Sequence, residues 1–284
     1  MRLDSPEWYE AVAGLIGNLD SPALPALLIS TLGKIAPFDG MIITAYRNRE
    51  KPIHLFDNYD SEGRKKRREI CVNAYLEGAY LLDPFYHACT HGVASGLYRL
   101  QDLAPDNFRN SEYYRSYYVR TGASEETGFF VQFPKNITVV VSMARRRDRP
   151  VFTKRTLGRF RAIEPVVSAI VRQHWRDLVD TLERGETWQA GPVSIGNQLE
   201  MAYRSFGRSV LTDRECEIAR LVVHGHSSKS IARCLKVSPG TVKIHRKHIY
   251  KKLHISSQAE LFSLFLSTLS RATEMGAGRS RRAR

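Results

Sequence analysis

The sequence has no uninterrupted run of about 18 apolar residues, which leaves no candidate for a membrane-spanning helix. Residues 1–20 lack a basic start followed by an apolar block, so no secretory signal is expected and the cytoplasm is the expected location. Cysteine is scarce. Cys71, Cys89, Cys216 and Cys234 stand far apart, with no C-x-x-C pair and no histidine at zinc-type spacing. They read as reduced thiols, with Cys216 and Cys234 as small packing residues in helical stretches. No glycine-rich phosphate loop, G-x-S-x-G elbow or metal-spaced histidine set occurs, so neither cofactor nor catalysis is expected.

Acidic residues run short in one place only. Residues 1–200 hold 26 Lys and Arg against 24 Asp and Glu, whereas residues 201–284 hold 17 against 5. Nearly all of the net charge of +14 therefore sits at the C-terminal end. A basic module joined to a near-neutral domain points to a polyanion as partner of the former. The tail Gly278–Arg284 supplies four arginines, but without it the balance is still 13 against 5. The folded part is basic too.

Punctuation and periodicity divide the chain. Asp4-Ser-Pro opens a helix in which Trp8, Val12, Leu15, Ile16 and Leu19 repeat at helical spacing, and Asp20-Ser-Pro restarts a second that Pro37 ends. Residues 39–46 and 53–56 read as strands around a turn at 48–52, and residues 128–133 and 137–143 as a second hairpin. Helices are expected over 64–81, 111–121 and 153–182. The expected architecture is α+β: an antiparallel sheet flanked by helices over 1–182, then a linker over 183–209. An all-α four-helix domain follows over 210–270, with a basic disordered tail over 271–284.

The C-terminal module carries the sharpest local signals. Thr212 and Glu215 form a capping box, and Ile218, Ala219 and Val222 follow as an apolar stripe that Gly225 closes. Residues 228–235 form a second short helix, and Ser238-Pro239 starts a third. On that third helix, at about 100° per residue, Val242, His245, Ile249 and Leu253 share one face. Lys243, Ile244, Lys247 and Lys251 fall opposite. An isoleucine among lysines suits a groove wall or a thymine methyl better than water.

These residues, from Leu211-Thr-x-Arg-Glu215 through Ser228-Lys-Ser-Ile-Ala232 and Thr241-Val-Lys-x-His245 to Lys252-Leu253, resemble the LuxR-type helix-turn-helix of bacterial transcription regulators. The resemblance implies double-stranded DNA as partner, with base reading by Lys243, Ile244 and Lys247. It implies backbone contacts from Lys229, Thr241, Arg246 and Lys251. It also implies a fourth helix that dimerises, hence a homodimer, with RNA polymerase a candidate partner.

The N-terminal half lacks the acidic cluster and alternating βα units of a receiver domain. Its order of helices and hairpins resembles GAF/PAS-like ligand domains, including those that bind acyl-homoserine lactones. Asp83-Pro84 matches the lactone-binding pattern, but the W-x-x-x-Y motif is missing, so a lactone is the less favoured effector. Asp83, Phe85, Tyr86, Tyr98, Tyr113, Tyr117, Glu125 and Phe129 are the candidate ligand residues, with Glu126 a further carboxylate among the rings. Aromatic faces beside a carboxylate suit a cationic amine. The plainer alternative is that the rings fill a core and Asp83 caps the helix at Pro84, leaving a ligand-independent regulator whose N-terminal half only dimerises. The basic run Arg64–Arg68 reads as a solvated helix turn or a second backbone contact.

Overall fold

The computed structural model describes residues 1–59, 65–185 and 206–268. In chain order its main elements are α1 (Pro6–Ile16), α2 (Leu24–Ile35), β1 (Gly40–Arg47), β2 (Ile53–Asp57) and α3 (Pro84–Thr90). Then come β3 (Gly96–Arg99), β4 (Ala123–Phe133), β5 (Ile137–Arg146), α4 (Lys154–His174) and α5 (Leu178–Glu183). The C-terminal elements are α6 (Asp213–Val223), α7 (Ser228–Leu235), α8 (Pro239–Lys252) and a helical run over 258–268, here α9. Short helical turns, two of them π-type, occupy parts of 65–82 and 100–121. Most of the expected linker and all of the expected tail fall outside the described residues.

Contacts group the described chain into two units, and the grouping does not follow sequence order. Of the described residues, unit one holds 1–59, 65–73, 88–103 and 122–185; unit two holds 74–87, 104–121 and 206–268.

Unit one is built on a five-stranded antiparallel sheet in the order β2-β1-β5-β4-β3. Side chains alternate between its faces. Met41, Ile43, Phe129, Val139, Val141 and Met143 point to one face, where they pack under α2 and α4 with Leu28, Leu32, Phe160 and Val171. The register places Ile42, Thr44, Val140, Ser142, Glu126, Gly128, Phe130 and Tyr98 on the other face. At the start of β1 a side chain on Gly40 would collide with the Tyr59 hydroxyl, 1.9 Å from the position of its Cβ. Tyr59 is itself buried.

The expected helix over 153–182 is two helices. Trp175 is buried and its N–H closes on Val171 O, then Leu178 N–H bonds Trp175 O and the chain turns. The basic run is divided between solvent and anchoring. Lys65 and Lys66 are exposed, Arg68 Nε donates to Asp57 Oδ2 at 2.9 Å, and the Arg67 guanidinium lies 5.9 Å from the Tyr59 ring centre. Asp57 also lies 2.9 Å from His54 Nε2. Burial pushes the Asp57 carboxyl up, but the bonds from His54, Arg68 and the Tyr59 N–H outweigh it and bring the group to about 2.

In unit two the helical module forms as its caps dictate. Thr212 and Glu215 make the reciprocal capping box of α6, Ser227 caps α7 and Ser238 caps α8. Ile218, Ala219, Val222, Ile231, Val242, Ile249, Leu261 and Phe265 make its buried core. The cysteines are all free thiols, and Cys216 is buried as expected. Cys234 is not: it is exposed on the outer side of α7, because the stripe of Ile231 and Ala232 already fills the inner side.

Candidate nucleic-acid interface and effector residues

The third helix of the module sorts its side chains sharply. Val242 and Ile249 are fully buried, while Lys243, Lys247 and Lys251 are exposed and Ile244 keeps 58% of its surface in solvent. His245, expected on the inner stripe, is half-buried. Lys243, Arg246, Lys247 and Tyr250 of α8 line a cleft of about 490 Å³ with Ser228 of α7 and Ser256 beyond α8. Arg246 is held in place there, donating to Ser228 Oγ at 3.3 Å and to Tyr250 Oη at 3.0 Å. A guanidinium fixed in this way presents its fork with less ordering left to do when an anion arrives. Thr241 sits at the start of the helix, its hydroxyl 2.8 Å from Ser238 Oγ, and Lys229 is exposed on the first turn of α7.

The sequence reading missed Tyr250 and Ser228 as partners of Arg246. Tyr250 was findable, since it lies one turn after Arg246 on the same helix. Ser228 was not, because nothing local places α7 beside that arginine.

A second tie fixes the far end of α8. Lys252 Nζ donates to Glu215 Oε2 at 2.7 Å, and the same oxygen accepts from Thr212 N–H at 2.9 Å. Burial pushes the Glu215 carboxyl up, but these bonds outweigh it and bring the group to about 2. The recognition-type helix is thus bolted to the start of α6.

The candidate effector residues fall in both units. In unit two, Asp83 is buried, accepts from Tyr75 Oη at 2.6 Å and from Phe85 N–H at 3.0 Å, and its carboxyl is raised to about 6, chiefly by burial. Phe85, Tyr86 and Tyr113 are buried in the same unit, and Tyr113 stacks on Tyr117 at 5.4 Å between ring centres. In unit one, Tyr98 lies on the face turned away from the helices and meets Phe130 at 5.1 Å. Phe129 lies on the opposite face, edge-on to Phe160 in the helix-packed core. Glu125 is buried, bonded by Arg99 at 2.8 Å and by the Phe152 N–H. Its neighbour Glu126 has the other parity. It accepts a hydrogen bond from Ser142 and shares the Tyr98 face.

Comparison with known proteins bears on the family and the fold. Residues 209–265 match the family described as bacterial regulatory proteins, luxR family. An HTH-type transcriptional regulator of Aeromonas salmonicida, from the exeN 3′ region, is 34% identical over 187 residues, covering 66% of this chain and 94% of the relative. The monoamine regulon transcriptional regulator of Klebsiella aerogenes is 27% identical over 257 residues, covering 89% of this chain and 94% of the relative. Among solved structures, the LBD domain of VqsR from Pseudomonas aeruginosa superposes with a TM-score of 0.52 at 24% identity, covering 61% of this chain and 98% of that one. That likeness concerns the fold. Among the described residues no helix is long and apolar enough to cross a membrane.

Proposed function

Because the chain belongs to the luxR family of bacterial regulatory proteins, we propose that it is a dimeric, sequence-specific DNA-binding transcription regulator, governed by a small molecule in a GAF/PAS-like N-terminal half. The observation that carries the DNA reading is the outer face of α8, where Ile244 is left in solvent between Lys243 and Lys247 while Val242 and Ile249 are buried. In this reading Lys243, Ile244 and Lys247 contact base edges. Lys229, Thr241, Arg246 and Lys251 hold phosphates on either side. The exposed Leu266 of α9 belongs to the dimer contact. The protein acts in the cytoplasm, with RNA polymerase as its downstream partner.

The test is to select a duplex from a random pool and measure affinity across single-base variants. Lys247→Ala is expected to lose about 1–3 kcal/mol of discrimination at one position. An equal loss on every sequence would make Lys247 a phosphate contact instead. Affinity should also fall steeply with salt, as counterion release requires.

For the effector we favour a cationic amine. Glu126 shares a sheet face with Tyr98 and Phe130, so that face carries a carboxylate and aromatic rings together. The name of the Klebsiella relative points to the same chemistry. The ligand-independent reading draws on other rings: Tyr113 and Tyr114 stack on Tyr117 and Tyr118, and Asp83 is occupied by Tyr75 and a backbone N–H. Calorimetry with aromatic and aliphatic amines and with acyl-homoserine lactones separates the three readings. Heat from amines alone supports the first, heat from lactones alone reverses it, and none from either supports the last.

A further inference from the structure

The turn between α6 and α7, His224-Gly225-His226-Ser227, is gripped within unit two by residues more than a hundred positions earlier in the chain. Asp106 accepts two hydrogen bonds from Ser227, from its N–H at 3.1 Å and its hydroxyl at 2.6 Å. The His87 ring lies 4.1 Å from the His224 ring. Gly225 has φ +97°, and a Cβ there would sit 2.9 Å from Ser111 Cβ and 3.3 Å from Phe108 Cα. Only glycine tolerates both that backbone and that closeness.

The place of the Asp106 carboxylate decides what this grip does. Ser227 is the cap of α7, where unpaired N–H groups and the positive end of the helix dipole invite an anion. The next residue, Ser228, lines the same cleft as Lys243, Arg246 and Lys247. Arg233 adds to the positive potential that the carboxylate meets. A DNA phosphate approaching that corner would find an aspartate already bonded to the donors it needs.

We propose that Asp106 is an internal stand-in for a DNA phosphate: seated on Ser227, it holds the module in a state that disfavours DNA, and a duplex must displace it. The segment that carries Asp106 leads through the helical turns of 108–121 into β4, the strand of Glu126, which gives a ligand on that strand a covalent route to the clasp. The inference rests on the DNA-binding reading above and extends it.

The test uses the full chain and a duplex selected from a random pool, with affinity read by fluorescence anisotropy. Asp106→Ala is expected to bind about tenfold more tightly, the effect of losing one charge-assisted contact that competes with the ligand. Asp102→Ala removes another exposed acid, four residues earlier in the chain, and its affinity should stay within about twofold of the parent. Should Asp106→Ala fold poorly, Asp106→Asn keeps the shape and one acceptor for Ser227 without the charge and should tighten binding in the same direction. Binding that is unchanged or weaker would show Asp106 to be only a cap, and an equal gain from Asp102→Ala would show a general charge effect. Either overturns the clasp and leaves the DNA-binding reading intact. If neither parent nor variants retain any duplex, both fall.

Discussion

The bond between Glu215 and Lys252 is where a single charge can be removed and its worth followed. Glu215 is almost fully buried, and its Oε2 accepts from Lys252 at 2.7 Å, Thr212 N–H at 2.9 Å and Thr212 Oγ at 3.0 Å. Its carboxyl is drawn from an ordinary 4.5 to about 2. At about 1.36 kcal/mol per unit, an unscreened conversion gives roughly 3 kcal/mol. The Lys252 side chain keeps 40% of its surface in water, so solvent screens part of that attraction. Glu215→Gln, which preserves shape and one acceptor, is therefore expected to cost about 2 kcal/mol. A carboxyl lowered on folding stabilises above its unfolded value and loses that contribution as pH falls through the folded one. The gap between parent and variant should accordingly be full at pH 6 and close as pH drops from 4.5 towards 2. Trp8 and Trp175 lie in unit one, and Trp188 lies outside the described residues, so tryptophan fluorescence is a poor probe of the module. Amide hydrogen exchange of α6 and α8 reads it directly, with protection falling about thirtyfold. Equal protection in both chains, or a gap that stays constant down to pH 3, would refute the reasoning.

Two further outcomes test other parts of the molecule. His224 is held well below its ordinary 6.5, first by burial and then by His87, His226 and Arg220. It folds neutral, so acidification below 6.5 should loosen unit two by up to about 1.4 kcal/mol per pH unit. Asp83, raised to about 6, works against this by gaining a proton on folding, so its contribution is present in acid and lost as pH rises. Asp83→Asn should therefore sharpen the acid sensitivity seen by exchange in α6 and α7; a flat profile from pH 7 to 5 in that variant would count against the His224 assignment. Glu126→Gln should weaken an amine seen by calorimetry at least about tenfold while leaving the melting of unit one unchanged, because an ionised partner is worth more than an amide to a cation. Unaltered amine binding would move the cation site elsewhere.

What the sequence disclosed and what it hid divide along the range of the interactions. The caps of α6 and α8 were legible because Thr212, Glu215, Ser238 and Thr241 act across a single turn, and the inner and outer faces of α8 followed from periodicity. The edge strand β3 was not, since Gly96-Leu-Tyr-Arg99 is short and half-buried throughout, with no alternation to read. The break after His174 carries no glycine or proline, while Pro165 sits inside the continuous helix. Choosing between Glu125 and Glu126 needed the parity of β4, which is shifted by an irregularity between Ala123 and Glu125. Gly225 shows the limit most plainly. As a helix stop it is readable from the chain alone, and φ +97° is reason enough for a glycine. Yet the same missing side chain makes room for Ser111, more than a hundred residues away. One local signal therefore served two constraints, and only the second ties the turn to Asp106 and to the cleft beside α8. A substitution there tests both at once, which is why Asp106, whose role is wholly long-range, is the cleaner place to break the clasp.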